Sequence, residues 1–136
     1  MRTKLGVLGA AFGLFCLAVP AAAHHGFDTE YDANKKVTLN GVVSKVEWMN
    51  PHMRVYVDVT DTSGKVTTWN LEMTSPNTVR RQGWGLKDLV PGDEVTFTGY
   101  GGKVVETRGS LFSIKKLRDG RELFTAGGPD AAKTPQ

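Results

Sequence analysis

Cysteine is nearly absent from this chain of 136 residues, which contains only one, Cys16. Cys16 lies in an N-terminal segment with the pattern of a cleaved export signal, so we expect the mature protein to contain no cysteine. A mature chain of that composition has no means of forming a disulfide bond, a thiolate metal site or a cysteine nucleophile.

A large charge of either sign is also missing. The chain has 17 lysine and arginine residues against 14 aspartate and glutamate residues. Arg2 and Lys4 precede the expected cleavage site, which leaves 15 basic and 14 acidic residues and a mature charge of +1. So small a charge does not indicate nucleic-acid binding. Hydrophobic residues at 40% and charged residues at 23% are typical of one globular domain.

Long apolar runs are limited to one, which covers residues 5–19. A positively charged start precedes it, and Pro20 with three alanines follows it, which is the pattern of a secretory signal peptide over residues 1–23. The run is shorter than the ~20 residues that a membrane-spanning helix needs. We therefore expect a periplasmic or secreted protein with no membrane span after cleavage.

Apolar and polar residues alternate along much of the remaining chain, which predicts strands in a mature domain of residues 24–124. Five strands are predicted, over residues 37–48, 53–60, 66–73, 94–100 and 111–117. A turn at residues 119–120 then leads to residues 121–124. Residues 125–136 have little to bury and are predicted to form a flexible tail.

Two local signals shape the predicted fold. Gly41 lies where the parity of the apolar residues in the first strand changes, which predicts a β-bulge at this glycine. Ser75 as N-cap, Pro76 at the first helical position and Gly83 as a stop predict a short helix between the third and fourth strands. Three strands, a helix and two strands, with a bent first strand, form the order of an OB-fold, a small five-stranded barrel. A flat antiparallel sandwich is the competing interpretation.

Five short motifs follow one another in an order that we associate with a known family. They are His24-His25-Gly26-Phe27, Glu47-Trp48-Met49-Asn50-Pro51-His52, Ser75-Pro76-Asn77, Arg81-Gln82-Gly83-Trp84 and Pro91-Gly92-Asp93-Glu94-Val95. With these motifs the chain resembles a family of small exported bacterial proteins that is catalogued as a domain of unknown function, numbered 6152. The resemblance implies secretion and a compact β domain, and it supplies no activity.

All three histidines fall in two of these motifs, and they are the candidate metal ligands. Cleavage after Ala23 would leave His24 as the first residue, so that its amine and its ring can chelate a metal together. A second histidine, His25 or His52, would complete a planar set of nitrogens of the kind that Cu(II) accepts. Cleavage after Ala21 would expose Ala-Ala-His, which also binds Cu(II) in a square arrangement.

The same residues have other interpretations. The N-terminal histidines can be incidental in a mobile terminus, and His52 can hydrogen-bond a backbone carbonyl or cap a turn. A third interpretation is a Cu(I) site in which Met49 and Met53 join His52 under the indole of Trp48. Met53 is in phase with the valines of the second strand, which favours a place in the core instead.

A second candidate site lies on the second predicted strand. An OB barrel binds ligands through the face of its strands two and three. Arg54 and Tyr56 share the outward face of the second strand, and we predict a ligand surface from these two residues and Trp84. An oligosaccharide or an anionic envelope component suits an exported protein better than nucleic acid does. An ordinary solvated strand face is the alternative.

The motifs contain no combination of acid, base and nucleophile, so the sequence does not indicate an enzyme. It predicts an exported, non-enzymatic, OB-like binding module. Copper is the ligand that the most specific residues of the sequence indicate. A scaffold, or a module that binds an oligosaccharide or another envelope component and in which the histidines are incidental, is the alternative.

Overall fold

The computed structural model describes residues 21–125, without the side chains of residues 21–25 and of Phe124. Most of the predicted signal peptide, residues 1–23, and all but the first residue of the predicted tail, residues 125–136, therefore lie outside the described residues. Within the described range, no helix is long and apolar enough to cross a membrane.

The described residues form a mostly β fold with two helices. The elements in chain order are α1 (Ala21–Glu30), β1 (Tyr31–Glu47), β2 (Arg54–Thr60), β3 (Val66–Glu72), α2 (Pro76–Arg81), β4 (Glu94–Gly102), β5 (Arg108–Lys116) and β6 (Glu122–Phe124). All five predicted strands are present, which confirms the β class. The structure adds a sixth short strand, β6, and the helix α1, neither of which was predicted.

Most strand pairings are antiparallel, and β1 is the strand that joins the two parts of the sheet. Its second half pairs with β2, and most of its length before that pairs with β4. The pairs β2–β3, β4–β5 and β5–β6 are antiparallel as well. One short parallel ladder joins β3 to β5. Each strand from β1 to β5 therefore has a partner on both sides over part of its length.

The bulge in β1 lies three residues beyond the predicted position. The register shifts between Val43 and Lys45, so Ser44 is the additional residue. Val42 is 41% exposed and Val43 is 1% exposed, which places Val43 on the inward face. The prediction of a bulge at Gly41 is wrong, because the inward parity of β1 continues to Val43 before it changes.

Local signals explain the helix α2. The Ser75 hydroxyl accepts a hydrogen bond from the Thr78 amide at 3.3 Å, and Pro76 occupies the first turn. Gly83 adopts a φ of 79°, a left-handed conformation that favours glycine after a helix. The helix buries Pro76 and Val79. The predicted helix is confirmed.

The core lies between the inward faces of the strands and the helix α2. Met53 is 1% exposed, which confirms its predicted place in this core. The buried cluster consists of Val43, Met53, Val55, Val57, Trp69, Leu71, Met73, Val79, Trp84, Leu89, Val95, Phe97, Leu111, Ile114 and Leu123.

Candidate functional site

The outward side chains of β1, β2 and β3 form three rows of polar residues. Residues two apart on a strand share a face, and the register places them beside their partners on the next strand. Val55 and Val57 between them point inward and are fully buried. The first row is Glu47, Arg54 and Glu72, and the second is Lys45, Tyr56 and Asn70. The third row is Asp58 and Thr68, joined by Ser44 of the bulge, which hydrogen-bonds to Asp58; the β1 residue in register with Asp58 is Val42, which is 41% exposed. We call the nine polar residues of these rows the polar face.

Glu72 is a shared acceptor at one corner of the polar face. Its carboxylate accepts hydrogen bonds from the Tyr31 hydroxyl at 2.9 Å and from Arg54 Nη2 at 3.0 Å. His52 Nδ1 lies 2.6 Å from Glu72 Oε1. A carboxylate accepts, so Nδ1 is the donor in this contact, and in the neutral form of the ring the lone pair is then on Nε2. The His52 side chain is 53% exposed.

A chain of hydrogen bonds continues from Arg54 across the polar face. Arg54 Nη1 donates to the side-chain oxygen Oδ1 of Asn70 at 3.0 Å, and Asn70 Nδ2 donates to the Tyr56 hydroxyl at 3.4 Å. The Tyr56 hydroxyl donates to Glu47 Oε2 at 3.2 Å, and Lys45 Nζ lies 2.5 Å from Glu47 Oε1. The Lys45 ammonium is also 5.2 Å from the centre of the Tyr56 ring. The hydrogen bond from Lys45 lowers the pKa of Glu47.

The third row is joined by hydrogen bonds of its own. Asp58 Oδ1 accepts from Thr68 Oγ1 at 2.6 Å and from Ser44 Oγ at 3.3 Å. The bulge at Ser44 therefore has a local effect on the site, because it turns an additional hydroxyl towards Asp58.

Tyr31 connects the N-terminal helix to this network. Its side chain is 6% exposed, and the Phe27 ring of α1 packs against it at a centroid distance of 5.4 Å. Burial, and then the negative charge of Glu72 beside the hydroxyl, raise the pKa of Tyr31 well above its ordinary value. The phenol therefore stays neutral and donates to Glu72 over the whole physiological pH range.

We predict that Tyr31→Phe changes the alkaline stability of the protein. Because the pKa of Tyr31 is raised on folding, Tyr31 contributes stability at every pH below its ordinary pKa of 10.0. This contribution is lost progressively as the pH rises above 10.0. Between pH 10 and 11, the wild type should lose about 1 kcal/mol more unfolding free energy than Tyr31→Phe, because Tyr31 ionises over this interval in the unfolded chain and not in the folded one. Urea denaturation of both proteins at each pH measures the difference. Equal losses would show that Tyr31 ionises as freely in the folded chain as in the unfolded one.

The structure separates the residues of the predicted ligand surface. Arg54, Tyr56 and His52 lie in one hydrogen-bond network, and Trp84 lies outside this network. Trp84 is 4% exposed and belongs to the core, and the Arg121 guanidinium lies 4.6 Å from the centre of its ring. The chain turns inward after α2, where the Trp84 amide donates to the Val79 carbonyl at 3.3 Å. Trp84 therefore does not contribute to an exposed ligand surface.

The candidate metal ligands are only partly within the described residues. The side chains of His24 and His25 lie outside them, whereas His52 is described in full. No group of three or more histidine, cysteine, aspartate or glutamate residues fit to hold a metal occurs among the described side chains.

The soft donors of the Cu(I) interpretation do not form one exposed set. Met53 is buried in the core, whereas Met49 is 48% exposed. The guanidinium of Arg80 lies 5.7 Å from the centre of the Trp48 ring, which places a cation of the protein over the indole.

The comparison with known families connects these residues to a group of proteins. Residues 11–111 match the model of a family of unknown function, DUF6152. The chain belongs to this family. The match confirms the resemblance found in the motifs, and the matched range contains the whole polar face of this DUF6152 chain. No curated protein and no solved structure matched the chain.

Sequence reasoning missed Glu72, Asn70, Glu47 and Tyr31 in this DUF6152 chain. A signal for Asn70 and Glu72 was present in the tight turn after the second strand. This turn brings Thr60 opposite Val66, and counting back along both strands places Arg54 opposite Glu72. No comparable signal exists for Tyr31, which reaches Glu72 from 41 residues away in the sequence.

Proposed function

We propose that this protein is an exported, non-enzymatic binding module with an OB-type barrel, and that it binds Cu(II) through His52 and the N-terminal His24. The strand pairings support the barrel. β1 pairs with both β2 and β4, and the parallel β3–β5 ladder completes a ring in the order β1, β2, β3, β5, β4. The long β1 serves both halves of this ring, and α2 lies between β3 and β4 in the chain, as in an OB-fold.

The contact between His52 and Glu72 is the observation that carries the copper proposal. Histidines that bind metals usually donate the proton of their second ring nitrogen to a carboxylate, which orients the ring and raises its basicity. The 2.6 Å contact between His52 Nδ1 and Glu72 Oε1 has this form. It leaves Nε2 as the donor atom for a metal, on a side chain that solvent reaches.

The position of His24 in the chain supports its role as the second ligand. His24 is seven residues before Tyr31, and the Tyr31 hydroxyl donates to the same Glu72 that holds His52. Seven residues in a helix rise only ~10 Å. After cleavage at Ala23, the new amine and the His24 ring are therefore attached by a short connection to the side chains around His52.

The donor set favours copper over zinc. An amine and two imidazoles are nitrogen donors that suit the square arrangement of Cu(II), whereas zinc sites are usually tetrahedral. Divalent copper also binds a given set of such ligands more tightly than zinc does. His25 is the other nitrogen donor within one residue of the amine.

Titration calorimetry of the mature chain with Cu(II) tests the proposal. We expect one bound ion, and His24→Ala and His52→Ala should each weaken binding at least tenfold. Glu72→Gln should weaken it by about 10- to 100-fold, because it removes the acceptor that orients His52. Asp58→Asn is the matched control, since it changes a carboxylate of the polar face that does not contact His52, and its affinity should equal that of the wild type.

Two outcomes would contradict the copper part of the proposal. Equal, weak binding by the wild type and both histidine variants would leave the histidines incidental. Loss of binding in His24→Ala alone would assign copper to the terminus and exclude His52. Mass spectrometry of protein recovered from the periplasm identifies the first residue, and an intact Met1 would contradict export.

A further inference from the structure

We propose that the polar face is a second binding site, independent of copper, and that its ligand is an uncharged oligosaccharide. The site goes beyond the proposed function, because it needs neither His24 nor a metal. It is defined by the three rows of outward residues on β1, β2 and β3.

The dimensions of the polar face suit a short sugar chain. Neighbouring strands are ~4.8 Å apart and residues two apart on a strand are separated by ~6.8 Å, so three strands and three rows cover about 10 by 14 Å. This area is that of a di- or trisaccharide. Tyr56 lies at its centre, between Lys45 and Asn70 in the middle row. The Lys45 ammonium lies 5.2 Å from the centre of the Tyr56 ring, so the C–H side of a sugar would pack against the part of the ring that Lys45 leaves uncovered, with the hydroxyl as a polar group beside it.

The chemistry of the polar face matches hydroxyl groups. Each hydroxyl of a sugar both donates and accepts a hydrogen bond, so a suitable surface presents donors and acceptors side by side. Arg54 and Asn70 supply guanidinium and amide donors, and Glu47, Asp58 and Glu72 supply carboxylate acceptors. A guanidinium has five N–H groups and a carboxylate about four acceptor positions, so the bonds within the face do not exhaust either.

The side chains of the polar face are already held in place. Hydrogen bonds of 2.5–3.4 Å link all the members of the first two rows into one chain. The first row is also partly buried, with Arg54 19% and Glu72 21% exposed. Side chains that are ordered before binding lose little further freedom when a ligand arrives. This order compensates for the modest affinity of each hydroxyl contact.

The charge of the polar face excludes an anionic ligand. Lys45 and Arg54 are opposed by Glu47, Asp58 and Glu72, which leaves the nine residues with a net charge of −1. Each cation is also bonded to a carboxylate, at 2.5 Å for Lys45 and 3.0 Å for Arg54. Phosphate and sulfate groups would be repelled by this negative charge, and both cations of the polar face are already paired with carboxylates. We therefore infer an uncharged glycan and not an anionic envelope component.

Titration of the mature chain with sugars in the presence of EDTA tests this proposal. The probes are chitotriose, cellotriose and maltotriose, with a heparin tetrasaccharide as the anionic comparison, and the readout is amide chemical shifts. We expect at least one neutral trisaccharide to shift amides of β1, β2 and β3 with a Kd of ~1 mM or lower. Tyr56→Ala and Asn70→Ala should each weaken it at least fivefold.

Matched variants keep the test decisive. Tyr56→Phe keeps the aromatic ring and replaces Tyr56→Ala as the test variant if Tyr56→Ala does not fold. It should weaken sugar binding less than Asn70→Ala does. Thr38→Ala changes a polar pair on the outward side of β1 and β4, and His24→Ala removes the proposed copper ligand, so both should bind the sugar as the wild type does. Binding of heparin alone, shifts outside the polar face, or no shift with any of the three sugars would overturn the proposal. None of these outcomes bears on copper.

Discussion

Gly41→Val is expected to lower the free energy of unfolding by about 3 kcal/mol, because the position has no room for a side chain. A Cβ atom at Gly41 would lie 2.6 Å from the Asp58 carbonyl oxygen and 2.6 Å from Val57 Cγ1. The first contact is with the backbone of β2, so relief requires β1 and β2 to move apart. Urea denaturation, with the midpoint and slope compared with those of the wild type, measures the loss.

A second glycine gives the control for this prediction. At Gly85 the nearest neighbour of an added Cβ would be the Asp88 carboxylate, 3.5 Å away on a side chain that can move. Gly85→Ala should therefore change stability much less than Gly41→Ala. A melting curve of Gly41→Val identical to that of the wild type would show that the two strands are not held so closely.

Phe97→Ala is expected to destabilise the protein by about 3–5 kcal/mol, the usual range for removing a buried phenylalanine. Phe97 is fully buried on β4, where it pairs with Leu39 of β1 and Ile114 of β5. Its ring packs against Trp69 of β3 at a centroid distance of 5.7 Å. Alanine would leave a cavity that faces three strands, which the surrounding side chains cannot fill by local movement.

Thermal unfolding provides a simple measurement of this effect. For a domain of this size, 3–5 kcal/mol corresponds to a fall in Tm of more than ~10 °C. Leu117→Ala is the control, because Leu117 is 51% exposed and its loss should change stability by less than about 1 kcal/mol. If Phe97→Ala lowered the free energy of unfolding no more than Leu117→Ala does, the described packing of β4 against β3 would be contradicted.

Strands and helices were predictable where the signal is local. The alternation of Val55 and Val57 with Arg54 and Tyr56 identifies β2 without knowledge of its neighbours. The start of β1 was not predictable in this way. Residues 32–36 are mostly polar and show no alternation, and the pairing of Tyr31 with Gly102 places Tyr31 in the strand.

The position of the bulge shows a second limit of sequence patterns. Val42 and Val43 are both apolar, so either can continue the inward face of β1. The pattern alone favours a change at the nearby glycine. The register with β2 places the change at Ser44 instead, because Val43 pairs with Val57 and Lys45 with Tyr56.

Features that depend on residues a few positions apart follow from the amino-acid pattern. These are the β class, the cap of α2 at Ser75 and the polar outward side of β2. The fold, in contrast, brings Glu72 into contact with His52, 20 residues away, and with Tyr31, 41 residues away. The fold also buries Trp84. Strand register and core packing set these contacts, and both depend on partners that are distant in the chain and leave no periodic signal in it.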